Sequence, residues 1–144
     1  MNKEAHFYIL NINDDYNLAI CKIIKKYYLS GCKILVHIDK TEIMENLDIM
    51  LWTFEQTSFI PHSTDKQIGV YPDVLLCNYN DAKTSINSTS YNIFFNLTSD
   101  MINLDKFDKT VLEVVDTNKT NEDLARRKYL YYKNNNIMVK HINL

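Results

Sequence analysis

The sequence predicts an α/β fold: a single three-layer domain in which a mostly parallel sheet carries helices on both faces. Short apolar runs rich in β-branched residues alternate along the chain with longer segments whose apolar residues recur at helical spacing. Strands that alternate with helices pair in parallel through right-handed crossovers, so the helices cover both faces of the sheet. Neither an internal repeat nor a long linker divides the sequence, and we expect one domain over residues 1–144.

The first predicted strand and helix lie before Gly31. The apolar run 5–12 predicts a strand, which the polar turn 13–15 closes. The apolar residues that follow fall on one face of a predicted helix: Tyr16, Ile20, Ile23 and Tyr27. Gly31 predicts the end of this helix, because glycine readily adopts the left-handed conformation of a helix C-cap.

A second strand and helix follow. Residues 32–38 (CKILVHI) predict a strand, and the capping-box spacing of Asp39 and Glu42 predicts a helix from there to about Phe54. The stripe expected to pack on the sheet consists of Ile43, Leu47, Met50 and Phe54.

The second half of the chain contains three further strands, a helix and a closing strand. The three strands are predicted at residues 74–77, 91–97 and 110–115. Thr120 and Asp123 predict the start of the last helix, which runs to about Lys133, and residues 137–142 predict the closing strand.

The predicted fold is Rossmann-like, but the sequence lacks the glycines of a nucleotide site. Such a site needs glycines directly after the first strand, where the backbone approaches the phosphates. Here the turn is NINDD (11–15), and the glycines of the chain are Gly31 and Gly69. The four histidines are isolated, and no nucleophile-elbow motif occurs. We therefore expect no catalytic site, no metal site and no cofactor.

The sequence also predicts a cytoplasmic protein without membrane association. No apolar run reaches the roughly 20 residues of a membrane helix, and the first residues lack the apolar core of a signal peptide. The wide spacing of Cys21, Cys32 and Cys77 predicts buried, reduced thiols.

Positive charge is concentrated at the end of the chain. Residues 124–144 hold five Lys or Arg and no acid, whereas residues 1–123 hold eleven bases and all eighteen acids. The only two arginines are the neighbours Arg126 and Arg127. Because a guanidinium binds carboxylates and phosphates through two parallel hydrogen bonds, this segment predicts an anionic partner.

In the last predicted helix, cations and apolar residues share one face. This face consists of Arg126, Tyr129, Leu130 and Lys133, opposite Leu124, Ala125, Tyr131 and Tyr132. A basic helix face is most often simply solvated. The mixture with Tyr129 and Leu130 favours a ligand that is both anionic and apolar, and single-stranded nucleic acid stacking on Tyr129 is the alternative. The acidic remainder of the chain disfavours a long phosphate backbone.

Trp52 points away from the apolar stripe of its helix, and a second apolar segment follows at residues 59–62 (FIPH). Two interpretations stay open. The segment folds back to form a small satellite core around Trp52, or the aromatic residues form an exposed patch that binds another protein. The spacing favours neither.

Three motifs of this sequence resemble those of the chi subunit family of bacterial DNA polymerase III holoenzyme. They are LWTFEQTSFIPH (51–62), VLEVVD (111–116) and LARRKYLYYK (124–133), in the order and at the approximate spacing of the family. The segments HFYIL and GCKILV are also similar to their counterparts, whereas the resemblance fades over residues 63–90. Three ordered motifs are more specific than any one of them. The resemblance therefore implies a single chi-like domain over residues 1–144.

This resemblance implies a non-catalytic accessory subunit of the clamp-loader assembly in DNA replication. Chi proteins form a heterodimer with psi, which links them to the clamp loader. They also bind the acidic C-terminal tail of single-stranded DNA-binding protein (SSB), whose terminal phenylalanine enters a pocket with a basic rim. The implied psi interface comprises Trp52, Phe59, Ile60 and Pro61. The implied SSB-tail site comprises Arg126 and Tyr129, which match the Leu-Ala-Arg-x-x-Tyr pattern, with Leu130 and Lys133 on the same face. We expect little direct binding of nucleic acid.

One position departs from the family pattern. Chi proteins usually carry a second basic residue directly after the tyrosine, where this chain has Leu130. Either Lys133 or Lys128 supplies the missing charge, or tail binding is weaker. Two other functions stay open: a small α/β enzyme with an anion site at the strand ends, and direct binding of single-stranded nucleic acid by the basic helix.

Overall fold

The computed structural model of the chain describes residues 3–11, 13–55, 60–64, 72–78, 90–102, 110–116 and 119–143. These residues contain six strands and three helices. Their order along the chain is β1 (Glu4–Ile9), α1 (Tyr16–Leu29), β2 (Ile34–His37), α2 (Thr41–Thr53), β3 (Val74–Cys77), β4 (Ile93–Asn96), β5 (Thr110–Val115), α3 (Lys119–Asn134) and β6 (Met138–Asn143).

The strands form one sheet in the order β3-β2-β4-β5-β1-β6, and every pair of neighbours runs in parallel. The first strand lies between the last two, because Glu4 is the partner of Thr110 in β5 and of Met138 in β6. The predicted three-layer α/β fold with a parallel sheet is confirmed. A parallel sheet that is covered on both faces needs apolar side chains at successive positions, which explains the short, continuously apolar strands.

The helices cover the two faces of the sheet and create two apolar clusters. The α1 and α2 helices pack on one face, where Ile20, Leu47 and Leu51 are buried. The α3 helix packs on the other face, where Phe7 and Tyr132 are buried. Because α3 lies over β1, β5 and β6, its remaining face is available to solvent or to a partner.

The predicted and observed boundaries of the strands agree to different degrees. The bounds of β3 and β5 are those predicted, whereas β1 ends at Ile9 rather than at residue 12. The carboxylate of Asp15 caps α1 by accepting a hydrogen bond from the amide of Leu18 at 2.9 Å. The left-handed conformation predicted for Gly31 is confirmed by its φ of 85°.

The capping box predicted for α2 is wrong. This helix begins at Thr41 with Lys40 at the N-cap position, and no side chain caps it. The Asp39 carboxylate lies one residue too early, and Glu42 instead stabilises the first turn through its charge. The last helix already begins at Lys119, before the predicted start at Thr120, whose side chain lies outside the described residues.

The structure shows the environment of the three cysteines and the apolar character of the helices. Cys21 and Cys77 are buried free thiols, as predicted, and Cys32 is a half-buried free thiol. In the described part of the chain, none of the helices combines the length and the apolar character needed to cross a bilayer.

Candidate functional site

The first candidate surface, which we call the Trp52 patch, consists of Ile49, Trp52 and Pro61. Ile49 and Trp52 lie three residues apart on α2, so their side chains project from the same side of the helix. They are 62% and 52% exposed, and Pro61 is exposed as well. Large apolar side chains that cluster at a surface are typical of a protein interface.

The segment after α2 folds back onto the helix and supports Trp52 from one side. The amide of Ile60 donates to the carbonyl of Leu51 at 3.0 Å. The His62 ring contacts the carbonyl of Ile60 through Nδ1 at 2.7 Å and the Asp48 carboxylate through Nε2 at 2.8 Å. Its centroid lies 5.2 Å from that of the Trp52 ring. The fold-back expected for a satellite core therefore occurs, yet about half of the Trp52 side chain remains in contact with solvent.

The four residues implied for a psi interface do not share one environment. Trp52 and Pro61 lie at the surface. Ile60 is 1% exposed and packs in the cluster beneath α1 and α2, so it does not belong to the exposed patch. Its branched apolar side chain is more stable in this core than in water. Phe59 lies outside the described residues.

The second candidate surface, which we call the α3 basic face, consists of Arg126, Tyr129, Leu130 and Lys133. The Arg126 side chain is 73% exposed, with a guanidinium nitrogen 3.9 Å from a carboxylate oxygen of Asp123. The Lys133 ammonium lies 5.7 Å from the centroid of the Tyr129 ring. Leu130 is 47% exposed. The structure thus brings Tyr129 and Lys133 together. Arg126 and Leu130 both lie within one helical turn of Tyr129.

One residue of this surface comes from β6 and was missed by the sequence analysis. The centroid of the His141 ring lies 5.6 Å from that of Tyr129 and 5.6 Å from that of Phe7. The Tyr129 ring is therefore close to both a lysine of its own helix and a histidine of the neighbouring strand. Nothing in the sequence pairs His141 with Tyr129, because α3 and β6 approach each other only through the fold.

Lys128 lies on the opposite side of α3 and is buried. Its Nζ atom donates to Glu113 Oε1 at 2.8 Å and to the carbonyl of Thr98 at 2.6 Å. Lys128 therefore does not supply a surface charge beside Leu130; the other two alternatives, a contribution from Lys133 or weaker tail binding, remain predictions. The sequence holds one signal of this burial: Lys128 falls in the middle of the helix face whose other members are Leu124, Ala125, Tyr131 and Tyr132.

The buried Glu113 carboxylate ties α3 to two strands. In addition to Lys128, it accepts hydrogen bonds from the Tyr132 hydroxyl at 2.5 Å and from Asn96 Nδ2 at 3.1 Å. Burial raises the pKa of the Glu113 carboxyl above its usual value, while the Lys128 charge opposes this shift. This glutamate of the VLEVVD motif therefore holds α3 in place and does not face a ligand.

A cleft of about 260 Å³ opens at the carboxyl ends of β2, β4 and β5. Ligands often bind at this position in doubly wound folds. Asp39 and Asp116 line the cleft together with Lys40. Burial, and then the charge of Asp116, raises the pKa of the Tyr16 phenol to about 12. Lys128 also lines the cleft, but Glu113 neutralises its charge. This acidic lining gives no support to the alternative of an anion site at the strand ends.

Among the residues that the structure describes, no three His, Cys, Asp or Glu side chains are close enough together to hold a metal ion. The arrangements with the clearest chemistry are therefore the Trp52 patch and the α3 basic face, both of which suit contacts with other proteins.

Comparison with known proteins adds the family. A family model described as "DNA polymerase III chi subunit, HolC" matches residues 1–140. A search of curated proteins finds no match to the chain. The matched range includes all six strands, all three helices and both candidate surfaces, apart from the end of β6. The chain therefore belongs to the DNA polymerase III chi subunit family, whose members are accessory subunits in DNA replication.

Proposed function

We propose that this protein links the clamp-loader assembly of the replicative polymerase to single-stranded DNA that is coated with SSB. The Trp52 patch binds psi, which connects the protein to the clamp loader, and the α3 basic face binds the acidic C-terminal tail of SSB. The protein acts in the cytoplasm as a non-catalytic subunit. The observation that carries this proposal is the α3 basic face: in a chain of the chi family, a guanidinium, an ammonium and two large apolar side chains share one accessible helix face.

The α3 basic face has the chemistry that an acidic peptide ending in phenylalanine requires. The Arg126 guanidinium can bind the terminal carboxylate through two parallel hydrogen bonds. The Tyr129 ring and Leu130 offer apolar surface to the phenylalanine, and the Lys133 ammonium attracts the acidic residues that precede it. Because Lys128 is engaged with Glu113, the positive charge of this face comes from Arg126 and Lys133.

The Trp52 patch supports the psi part of the proposal. Tryptophan is among the residues that contribute most at protein interfaces, especially when apolar neighbours surround it. Here Ile49 lies one helical turn before Trp52, and the buried His62 ring lies 5.2 Å from the indole, centroid to centroid. The patch is therefore already in place before a partner binds, which reduces the entropy lost on association.

Replacing Arg126 with alanine should weaken binding of an SSB-tail peptide by about 1.5–3 kcal/mol, because a charge-assisted pair is lost. Arg126→Lys should restore only part of the affinity, since an ammonium cannot bind a carboxylate through two parallel bonds. Arg127→Ala is the matched control. It removes the same charge from the next position, which faces about 100° away on the helix, and it should change the affinity much less. Isothermal titration calorimetry with a synthetic peptide measures all three variants.

Amidation of the peptide shows which group Arg126 binds. The amidated peptide should bind the unmodified protein much more weakly, yet amidation should barely change binding to Arg126→Ala, because both changes remove the same interaction. Equal affinity of the acid and amide peptides for the unmodified protein would contradict the proposed pairing. If Arg126→Ala and Arg127→Ala weaken peptide binding equally, Arg126 contributes only general charge attraction and no specific pair.

Naked single-stranded DNA should bind weakly at an ionic strength of about 0.15 M. Affinity for nucleic acid comes largely from counterions that are released at phosphate contacts, and the α3 basic face offers few such contacts. The rest of the chain, with eleven bases and eighteen acids over residues 1–123, repels phosphate. Fluorescence anisotropy with a labelled oligonucleotide measures this binding. Micromolar or tighter affinity would favour direct nucleic-acid binding by the basic helix instead.

A further inference from the structure

We propose that the outer edge of β6 accepts an extended acidic peptide as an additional parallel strand, which continues from the α3 basic face. This inference rests on the proposed function and deepens it, because it assigns the conformation, direction and backbone contacts of the bound tail. The main-chain hydrogen bonds of an added strand supply affinity, and the side chains of the peptide supply specificity.

The two edges of the sheet differ in what covers them. At the β3 edge, Ser63 pairs with the strand: its amide donates to the carbonyl of Val74 at 3.0 Å, and its carbonyl accepts from the amide of Leu76 at 2.9 Å. At the other edge, no strand in the described part of the chain pairs with the outer side of β6. An edge strand six residues long is a ready template for another strand.

The register of β6 identifies the backbone groups that face outward. The Met138 amide donates to the carbonyl of Lys3 at 3.3 Å, so Met138 bonds towards β1. Because the N–H and C=O groups of a parallel strand point to alternate sides at successive residues, Lys140 and Ile142 also bond inward. The amides and carbonyls of Val139 and His141 therefore point away from the sheet, towards the position of an added strand.

The α3 basic face lies beside this edge and fixes the direction of the peptide. A tight turn reverses the chain after α3, since the amide of Ile137 donates to the carbonyl of Tyr132 at 3.0 Å. The contact between Tyr129 and His141 then aligns the helix with the strand. Arg126 lies about 4.5 Å from this contact towards the carboxyl end of β6, and Lys133 about 6 Å towards its start. If the terminal carboxylate of the peptide lies at Arg126 and its preceding acidic residues lie at Lys133, the peptide runs parallel to β6.

The charge and side chains along this edge favour an acidic peptide as the occupant. Residues 124–144 carry five bases and no acid. Alternate residues of an added strand would face the Lys133 ammonium on one side of the sheet and the exposed Met138 side chain on the other. The Lys140 ammonium already pairs with Glu4 at 3.3 Å, so Lys133 is the principal charge complement.

A scan with backbone N-methylated peptides tests the added strand without changing the protein. In an SSB-tail peptide with a free terminal carboxylate, single amides before the phenylalanine are methylated in turn. Methylation of an amide that donates to β6 should lower the affinity of the peptide by about fivefold or more. One hydrogen bond is lost, and the methyl group blocks close approach. Methylation at the intervening positions is the matched control and should have little effect. A loss that alternates with a period of two supports the proposal.

Amide hydrogen exchange supplies a second measurement on the full chain. On binding of the unmodified peptide, the amides of Val139 and His141 should become protected, whereas those of Lys140 and Ile142 should already be protected in the free protein. A nitroxide at the peptide's N-terminus should broaden signals near Met138 more than those near Asn143. The reverse pattern would overturn the parallel direction.

Failure of this inference is distinguishable from failure of the proposed function. If the peptide binds in an Arg126-dependent manner, but N-methylation has no periodic effect and Val139 and His141 gain no protection, the added strand is wrong and tail binding stands. If the peptide does not bind at all, both are wrong.

Discussion

Replacing Lys128 with methionine should lower the free energy of unfolding by about 3–5 kcal/mol. The substitution keeps an unbranched chain of similar length, so little packing changes. It leaves the Glu113 carboxylate buried without its cation, although the Tyr132 hydroxyl and the Asn96 amide still donate to it. Urea denaturation followed by circular dichroism measures the loss.

Two further variants separate the ion pair from other contributions. Lys22→Met, at an exposed position of α1, is the matched control and should change stability by no more than about 0.5 kcal/mol. The double variant Lys128→Met, Glu113→Gln should recover much of the loss, because a neutral amide replaces the unpaired buried charge. A loss in Lys128→Met as small as that in Lys22→Met would show that the buried pair contributes no net stability.

The cost of Lys128→Met should also depend on pH. Burial already raises the pKa of the Glu113 carboxyl, and removal of the Lys128 charge raises it further. A carboxyl whose pKa is raised in the folded state lowers the free energy of unfolding while it is charged. As pH falls through that raised pKa, the folded protein takes up a proton and the lost stability returns. The variant should therefore approach the stability of the unmodified protein at mildly acidic pH and fall furthest below it at neutral pH.

Replacing Trp52 with alanine should weaken binding to psi by about 2–4 kcal/mol, as expected for a central aromatic anchor of an interface. The isolated fold should remain largely intact, because about half of the indole already contacts solvent. Leu29→Ala, which truncates an exposed apolar side chain at the end of α1, is the control and should leave psi binding unchanged. Co-purification with psi, together with thermal unfolding of each variant alone, measures both properties.

The outcome also decides between the two interpretations of the Trp52 segment. If Trp52→Ala lowers the free energy of unfolding by the 3–5 kcal/mol of a buried aromatic residue, the contact with His62 is a satellite core. If stability is retained and psi still binds with unchanged affinity, the patch serves neither role, and the psi interface lies elsewhere on the molecule.

The sequence predicted the sheet well because its signals are local. Each residue of β2, β3 and β4 is buried, so these strands appear in the sequence as short apolar runs. The exact first and last residues of helices and strands are harder to predict from local sequence. Asp39 has the spacing of a helix cap, but α2 begins at Thr41 with Lys40 at the N-cap position, so the capping signal falls one residue away from the actual start.

The candidate site was less predictable, because its chemistry depends on residues that are distant in sequence. The burial of Lys128 requires Glu113 of β5 and the carbonyl of Thr98 in the loop after β4, which meet it only in the folded chain. The same limit applies to His141, whose contact with Tyr129 arises from the turn between α3 and β6. Helical spacing predicted which side chains share the α3 basic face, but not which lysine of this helix would be neutralised.

The position of β1 between β5 and β6 restricts the order in which the sheet can assemble. This strand precedes the other five in the chain, yet its neighbours β5 and β6 follow only about 100 and about 130 residues later. During synthesis, β2, β3 and β4 can pair while β1 still waits for a partner. Contacts between such distant segments form slowly, and an unpaired apolar strand invites association with other chains. The α2 helix with its Trp52 patch can therefore dock on a partial sheet while the nascent chain still lacks the α3 basic face, so the two surfaces mature one after the other.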